Sequence, residues 1–243
     1  MRMRSIGPLT LAALLTGAAV VESQQPAPAN LGIKYVRDSD EYATLARQVY
    51  RAATDAVTRT PTSMGQRAWA VVLDIDETAL DNSTYQLERA TYGLPYDDAS
   101  WNAWVNRREA AAVPGAVDFV AAVRRAGGHI AWISNRDAAT ATATRLNLAN
   151  VRLWHDDDRL CPAEGTARPK RVRRAEVVSG QGACAWPGRP MTVIALVGDQ
   201  MGDFPDAEEK IPNTGTDAAF GATCYLLPNP MYGQWTTRVT RVR

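Results

Sequence analysis

Apolar residues in this chain fall into short unbroken runs separated by stretches of helical period. Trp69-Ala-Val-Val-Leu73 is one such run, rich in β-branched valine. It predicts a strand buried on both faces, as in a parallel sheet. Residues 129–133, 151–154, 191–197 and 222–227 repeat the pattern and predict four more strands. Between them the period changes. Tyr42, Leu45, Ala46, Val49, Ala53, Ala56 and Val57 recur at i, i+3, i+4 and i+7, which predicts a helix over 38–58 with Asp38 and Glu41 as its capping pair. Pro114 opens a helix running to Val123 and closed by Gly127-Gly128, and residues 138–148 and 169–178 read as further helices. Strands alternating with helices imply an α/β fold, a doubly wound parallel sheet with right-handed crossovers. Residues 82–112 break the alternation: they are aromatic and polar, with Gly93-Leu-Pro95 in their middle. They read as a small, mainly helical cap inserted into the domain, with a helix near 99–112.

The first residues follow neither pattern. Arg2 and Arg4 precede an apolar run over 9–21, broken only by Thr10, Thr16 and Gly17, and polar Glu22-Ser-Gln-Gln25 follows. That is the layout of a secretory signal over residues 1–23, and the run is short for a membrane span. The competing reading is an uncleaved N-terminal anchor. Residues 24–37, with a Pro/Ala-rich start, read as a linker, and 38–243 as one domain, the count that 243 residues favour. The expected location is periplasmic or secreted.

Composition narrows the chemistry. A hydrophobic fraction of 46% and a charged fraction of 22% are those of an ordinary globular protein. A net charge of +1 gives no electrostatic reason to expect a nucleic-acid polymer or an anionic membrane as partner. His129 and His155 are the only histidines, and Cys161, Cys184 and Cys224 have no zinc-site spacing. A divalent metal must then be held by oxygen, which favours Mg²⁺. An odd cysteine count leaves one thiol over. The expected pair is Cys161 with Cys184, both in loop-like sequence, with Cys224 as a small buried hydrophobe.

Three predicted strands end in polar residues that would meet at one rim of the sheet, where ligands bind in open α/β folds. The first gives Asp74-Ile-Asp76-Glu-Thr78, the second Ser134-Asn-Arg-Asp137, and the fourth Gly198-Asp-Gln-Met-Gly-Asp203. Carboxylates so crowded call for a cation. Asp74 and Asp76 are two residues apart, so their side chains leave the strand end on the same side. Lys34, Lys170 and Lys210 are the only lysines of an otherwise arginine-based chain. Lys170, surrounded by Arg168, Arg171, Arg173 and Arg174, therefore invites a chemical reason: a compact ammonium fits a small site where a guanidinium would not. Its competing reading is a solvated basic helix face.

Val71-Val-Leu-Asp-Ile-Asp-Glu-Thr78 resembles the first motif of the haloacid dehalogenase (HAD) superfamily, and Ser134, Lys170 and Asp199 with Asp203 are similar to its second, third and fourth motifs in the same order. Asp81-Asn-Ser83, Val113-Pro-Gly-Ala116, Ser134-Asn-Arg136 and Leu227-Pro-Asn-Pro-Met-Tyr-Gly233 with Trp235 resemble the bacterial class C acid phosphatases, the lipoprotein-e 5′-nucleotidase group of subfamily IIIB. The likeness runs from about residue 42 to 235. It implies a HAD-like Rossmannoid sheet with a cap, and a Mg²⁺-dependent acid phosphatase acting on small phosphomonoesters. Asp74 is then the nucleophile that forms an aspartyl-phosphate, and Asp76 the acid and base. Asp74, the backbone carbonyl of Asp76, and Asp199 would hold Mg²⁺, with Asp203 acting directly or through water. Ser134 would bond a phosphoryl oxygen, and Lys170 would neutralise charge there and orient Asp74.

The resemblance also implies nucleoside 5′-monophosphates and aryl phosphates as substrates, with an aromatic pair around the ring. Trp101 and Tyr232 match that pair, with Asn135 as a further substrate contact. Ser134 has a second reading as a helix cap, Trp101 as core packed on Trp104, and Asp203 as a solvated loop acid. Asp76 separates a phosphatase from the dehalogenase branch. Lipoprotein members carry a cysteine directly after the signal, and no cysteine precedes Cys161 here, so no lipid anchor is expected. The rival functions are a nucleotide- or haem-binding protein on the same scaffold, and a phosphotransferase.

Overall fold

The computed structural model describes residues 28–59, 68–165, 168–209 and 211–238, so the expected export signal lies outside the described residues. In chain order the elements are helices α1 (Pro28–Asp38) and α2 (Asp40–Arg59), strands β1 (Trp69–Leu73) and β2 (Leu80–Asp81), helices α3 (Ser83–Thr91) and α4 (Asp98–Arg107), and strand β3 (Ala111–Ala112). Then come α5 (Ala116–Arg125), β4 (His129–Asp137), α6 (Ala141–Asn150), β5 (Arg159–Ala163), α7 (Lys170–Ser179), β6 (Thr192–Gly198) and β7 (Cys224–Leu226). Among the described residues no helix is long and apolar enough to cross a membrane.

The sheet is all parallel, in the order β5-β4-β1-β6-β7. Alternation along β1 explains its unbroken apolar sequence. Val71 and Leu73 enter one core with Phe119 of α5 and Ala53 and Val57 of α2. Ala70 and Val72 enter the opposite core with Val177 of α7. Both faces are covered by helices, as the doubly wound reading requires.

The cap leaves and re-enters the domain through a two-stranded antiparallel ladder, Leu80 opposite Ala112 and Asp81 opposite Ala111. It holds two helices, α3 and α4, rather than one near 99–112. The Asp97 side chain caps α4 by accepting the Ser100 N–H at 2.7 Å, and the helix stops at Arg108, whose φ of 59° is left-handed.

Four expectations change. Residues 151–154 are not a strand: the third strand is β5. Leu153 N–H donates to the Leu148 carbonyl at 2.7 Å and Arg152 N–H to that of Ala149 at 3.0 Å, with Arg152 at φ 64°. This is a Schellman ending to α6, and the apolar pattern came from Leu153 folding back onto Leu148. The expected linker is helical from residue 28. Arg37 Nη1 of α1 donates to Thr84 Oγ1 of the cap at 2.8 Å, and Gly32 lies so close to the Pro230 carbonyl that a Cβ there would collide with it. The cap of α2 is Ser39, whose hydroxyl accepts the Tyr42 N–H at 3.0 Å, rather than the pair Asp38 and Glu41. Finally, all three cysteines are free thiols. Cys161 is on a strand rather than a loop, and it lies in the same core as Cys184 and Cys224.

Candidate active site

The carboxyl ends of β1, β4 and β6 and the first turn of α7 converge on one cavity of about 610 Å³. Asp74 follows β1 directly, and its N–H donates to the Val197 carbonyl of β6 at 3.0 Å. Lys170 is the first residue of α7, with Pro169 as N-cap. Its ammonium bonds Asp74 Oδ1, and it bonds Asp203 Oδ1 at 2.5 Å. Arg173, one turn further on, fixes that helix to the sheet. Its Nη1 donates to the carbonyls of Ser134 at 2.5 Å and Cys161 at 2.9 Å, and its Nη2 to Asn135 Oδ1 at 2.9 Å. The lysine is therefore neither solvated nor free to swing.

Asp203 folds back over the end of β6. Its Oδ2 accepts the N–H groups of Asp199 at 3.1 Å and Gln200 at 2.9 Å, and Gly198 leaves the room, since a Cβ there would meet the Asp203 side chain. Asn229 Nδ2 donates to Asp199 Oδ2 at 2.7 Å. Carboxylate oxygens of Asp74, Asp199 and Asp203 all come within 4.8 Å of one another.

Burial pushes the Asp74 carboxyl up to about 7; Lys170 opposes the rise, while Asp203 and Asp76 add to it. Burial also raises Asp199 well above the carboxylate range, with Asp74 and Asp203 acting in the same direction and Asn229 against it. Burial disfavours the charged form of Lys170, but Asp74 and Asp203 outweigh it and hold the ammonium above the lysine range. One ammonium among three close carboxylates leaves negative charge uncompensated. An oxygen-only donor set without sulfur or imidazole suits a hard divalent cation.

Asp76 faces the same cavity from the other side. Its Oδ1 accepts from Arg136 Nε at 2.9 Å, Arg136 Nη2 at 2.8 Å and Asn82 Nδ2 at 2.9 Å. Ser134 is buried, and it does not line the cavity. Its hydroxyl lies 3.4 Å from Asp76 Oδ2 and accepts the Arg136 N–H at 3.1 Å. The turn at residues 138–140 is capped instead by Asp137, which accepts the Ala139 N–H at 2.8 Å. Asn135, Trp101 and Tyr232 all line the cavity. Trp101 packs edge-on to Tyr85 at 5.1 Å between ring centres, while Trp104 is the buried core tryptophan of the cap. Neither histidine lines the cavity: His129 pairs with Asp157 at the start of β4.

Residues 11–235 match the sequence model of the HAD superfamily, subfamily IIIB (acid phosphatase). The chain belongs to this family. It is a phosphomonoester hydrolase. Two solved structures resemble this phosphatase over 85% of its length and 86% of theirs. Both are the class C acid phosphatase from Bacillus anthracis, one at 27% identity and a TM-score of 0.72, the other, with tungstate bound, at 26% and 0.73. The superfamily works with a divalent cation, and the phosphatase offers the carboxylates of Asp74, Asp199 and Asp203 for it.

Reading the sequence alone missed Arg136 and Asn82, which surround Asp76, and Asn229, which fixes Asp199. Each belongs to a motif quoted above, so position gave a signal; the contacts that assign a task exist only in three dimensions. Gln86, Tyr96, Gln200 and Gln234 also line the cavity without having been singled out.

Proposed function

We propose that this phosphatase hydrolyses small phosphomonoesters, nucleoside 5′-monophosphates and aryl phosphates among them, with Mg²⁺ and through an aspartyl-phosphate on Asp74. The observation that carries the reading is the pairing of Asp74 with Lys170 at the base of a cavity whose walls include Trp101 and Tyr232.

A phosphate entering the cavity meets Asp74, whose free carboxylate oxygen attacks phosphorus while Lys170 stays beside Oδ1 and balances its charge. Asp76 gives a proton to the departing alkoxide, then takes one from the water that attacks the aspartyl-phosphate. Asn135, on the β4 end and in the cavity wall, offers its amide N–H to the phosphoryl oxygens, while the buried Ser134 hydroxyl, expected to do the same, sits beside Asp76 Oδ2 instead. Bound Mg²⁺, held by Asp74, Asp199, Asp203 and the Asp76 carbonyl, supplies positive charge for the phosphoryl group. Trp101 and Tyr232 receive a base or aryl ring by stacking, which tolerates many rings because every base has a π-face.

Turnover of para-nitrophenyl phosphate, with and without Mg²⁺, tests the reading on wild type and Asp74→Asn. Activity that needs Mg²⁺ and vanishes in the variant supports it; metal-independent turnover or an active variant sinks it. Nucleoside monophosphates set against sugar phosphates test the substrate class, and phosphate transfer to added alcohols in preference to water would show a phosphotransferase. Residues 1–23 support export to the periplasm or beyond. The amino-terminal residue of the protein recovered from the periplasm or medium tests that, and full-length protein confined to the cytoplasm would oppose it.

A further inference from the structure

We propose that Arg136, Asn82 and Trp104 form a clamp that positions the carboxylate of Asp76 and ties it to the cap. This rests on the reading of Asp76 as the acid and base.

Three donors converge on Oδ1 of Asp76: two from Arg136 at 2.9 and 2.8 Å, and the Asn82 amide at 2.9 Å. They use up the acceptor directions of that oxygen and fix the carboxylate plane. Oδ2 has only the Ser134 hydroxyl near it among the described residues, at 3.4 Å. The clamp thus grips one oxygen and presents the other to the cavity.

The clamp is itself held on every side. Arg136 is 2% exposed. Its Nη1 donates to Thr144 Oγ1 at 3.3 Å and its Nη2 also to Asn82 Oδ1 at 3.2 Å, and its guanidinium lies 5.7 Å from the Trp101 ring centre. Asn82 is fully buried. Its N–H donates to Glu77 Oε1 at 2.9 Å, and its Oδ1 accepts the indole N–H of Trp104 at 2.8 Å. Trp104 sits on α4, in the cap. A line of buried hydrogen bonds therefore runs from the cap helix through Trp104 and Asn82 to Asp76, where Arg136 meets it from β4. Removing one member leaves its partners unsatisfied in a buried place and frees the carboxylate to turn. Proton transfer needs hydrogen-bond reach of the leaving oxygen, and a misplacement of about 1 Å costs on the order of a hundredfold.

The test is the ratio of kcat/KM for two substrates: n-propyl phosphate, whose alkoxide must be protonated to leave, and 2,4-dinitrophenyl phosphate, whose phenolate leaves unaided. Both rates come from one preparation, so any unfolded fraction cancels. Trp104→Phe keeps a ring and loses the N–H; Arg136→Lys keeps the charge and loses the fork. We expect the alkyl-to-aryl ratio to fall about tenfold for Trp104→Phe, about a hundredfold for Arg136→Lys, and furthest for Asp76→Asn. A fall for Asp76→Asn with none for the other two overturns the clamp and leaves the role of Asp76 standing. No fall for Asp76→Asn overturns that role, and the clamp with it.

Discussion

Asp74 and Asp76 are the same residue type, two positions apart on one strand end, yet their surroundings differ in kind. Asp74 stands in a crowd of carboxylates, with a lysine ammonium as its cationic partner. Asp76 is gripped by a planar guanidinium and an amide, both nearly inaccessible to water. An ammonium bonded to one carboxylate oxygen compensates charge while leaving the other oxygen free to react. A guanidinium fork fixes orientation. On the mechanism proposed above, the nucleophile side is thus arranged around charge, and the acid side around direction.

Four measurements sharpen or break that contrast. The largest effect belongs to Asp74→Asn, which on the proposed mechanism removes the attacking oxygen and should lower kcat at least about a thousandfold. A smaller loss would mean that the reaction bypasses Asp74. Lys170→Met should cost about a hundred- to a thousandfold in kcat, because one preorganised cation near the phosphoryl group is removed. Since Lys170 holds the Asp74 carboxyl down, the acidic limb of the rate profile should also move to higher pH. An unmoved limb would separate the lysine from the nucleophile.

The third measurement is stability without metal. Asp74 rises from 3.8 to about 7 on folding, so between those values the folded chain keeps a proton that the unfolded chain has lost. That contribution is fully present below pH 3.8 and is lost as pH rises through about 7; Asp199, also raised, acts in the same sense. Chelator-treated protein should therefore show a falling contribution to Tm from about pH 4 to 7, and Mg²⁺ should restore stability most above that window. A Mg²⁺ effect that shrinks with rising pH would contradict the crowded-carboxylate picture. The smallest effect lies at the cavity wall. Trp101→Ala should raise KM for aryl and nucleoside phosphates by about ten- to a hundredfold, the worth of one stacked ring, with little change for n-propyl phosphate. Equal losses on both substrates would make Trp101 a structural residue.

The central strands were legible because burial on both faces leaves an unbroken apolar run, as at Trp69–Leu73. The edge strand β5 was not, for its sequence Arg-Leu-Cys-Pro-Ala is only partly buried and carries a proline, tolerated at an edge. The run at 151–154 imitated a strand because a helix ending also sets an apolar residue against the core. Asp74, Asp199 and Asp203 could be read ahead because they follow strand ends that converge on a parallel sheet, and Lys170 because it is a lone lysine among arginines at the place of the third motif. Arg136 and Asn82 could not be assigned a task, since an arginine after a strand reads as surface until its burial is known. Helix α1 was hidden by Gly32, which lowers helix propensity in its interior; Ile33 and Val36, both buried, are the short stripe that sustains it.

Gly32 carries a consequence beyond helix α1. Its bare backbone lets the amino-terminal helix rest directly on the Pro230 carbonyl, two residues before Tyr232 in the cavity wall. Any side chain at this position would push the helix and that stretch of chain apart. A residue with no reactive group thus sets how closely the amino-terminal helix packs against the stretch of chain that leads to Tyr232.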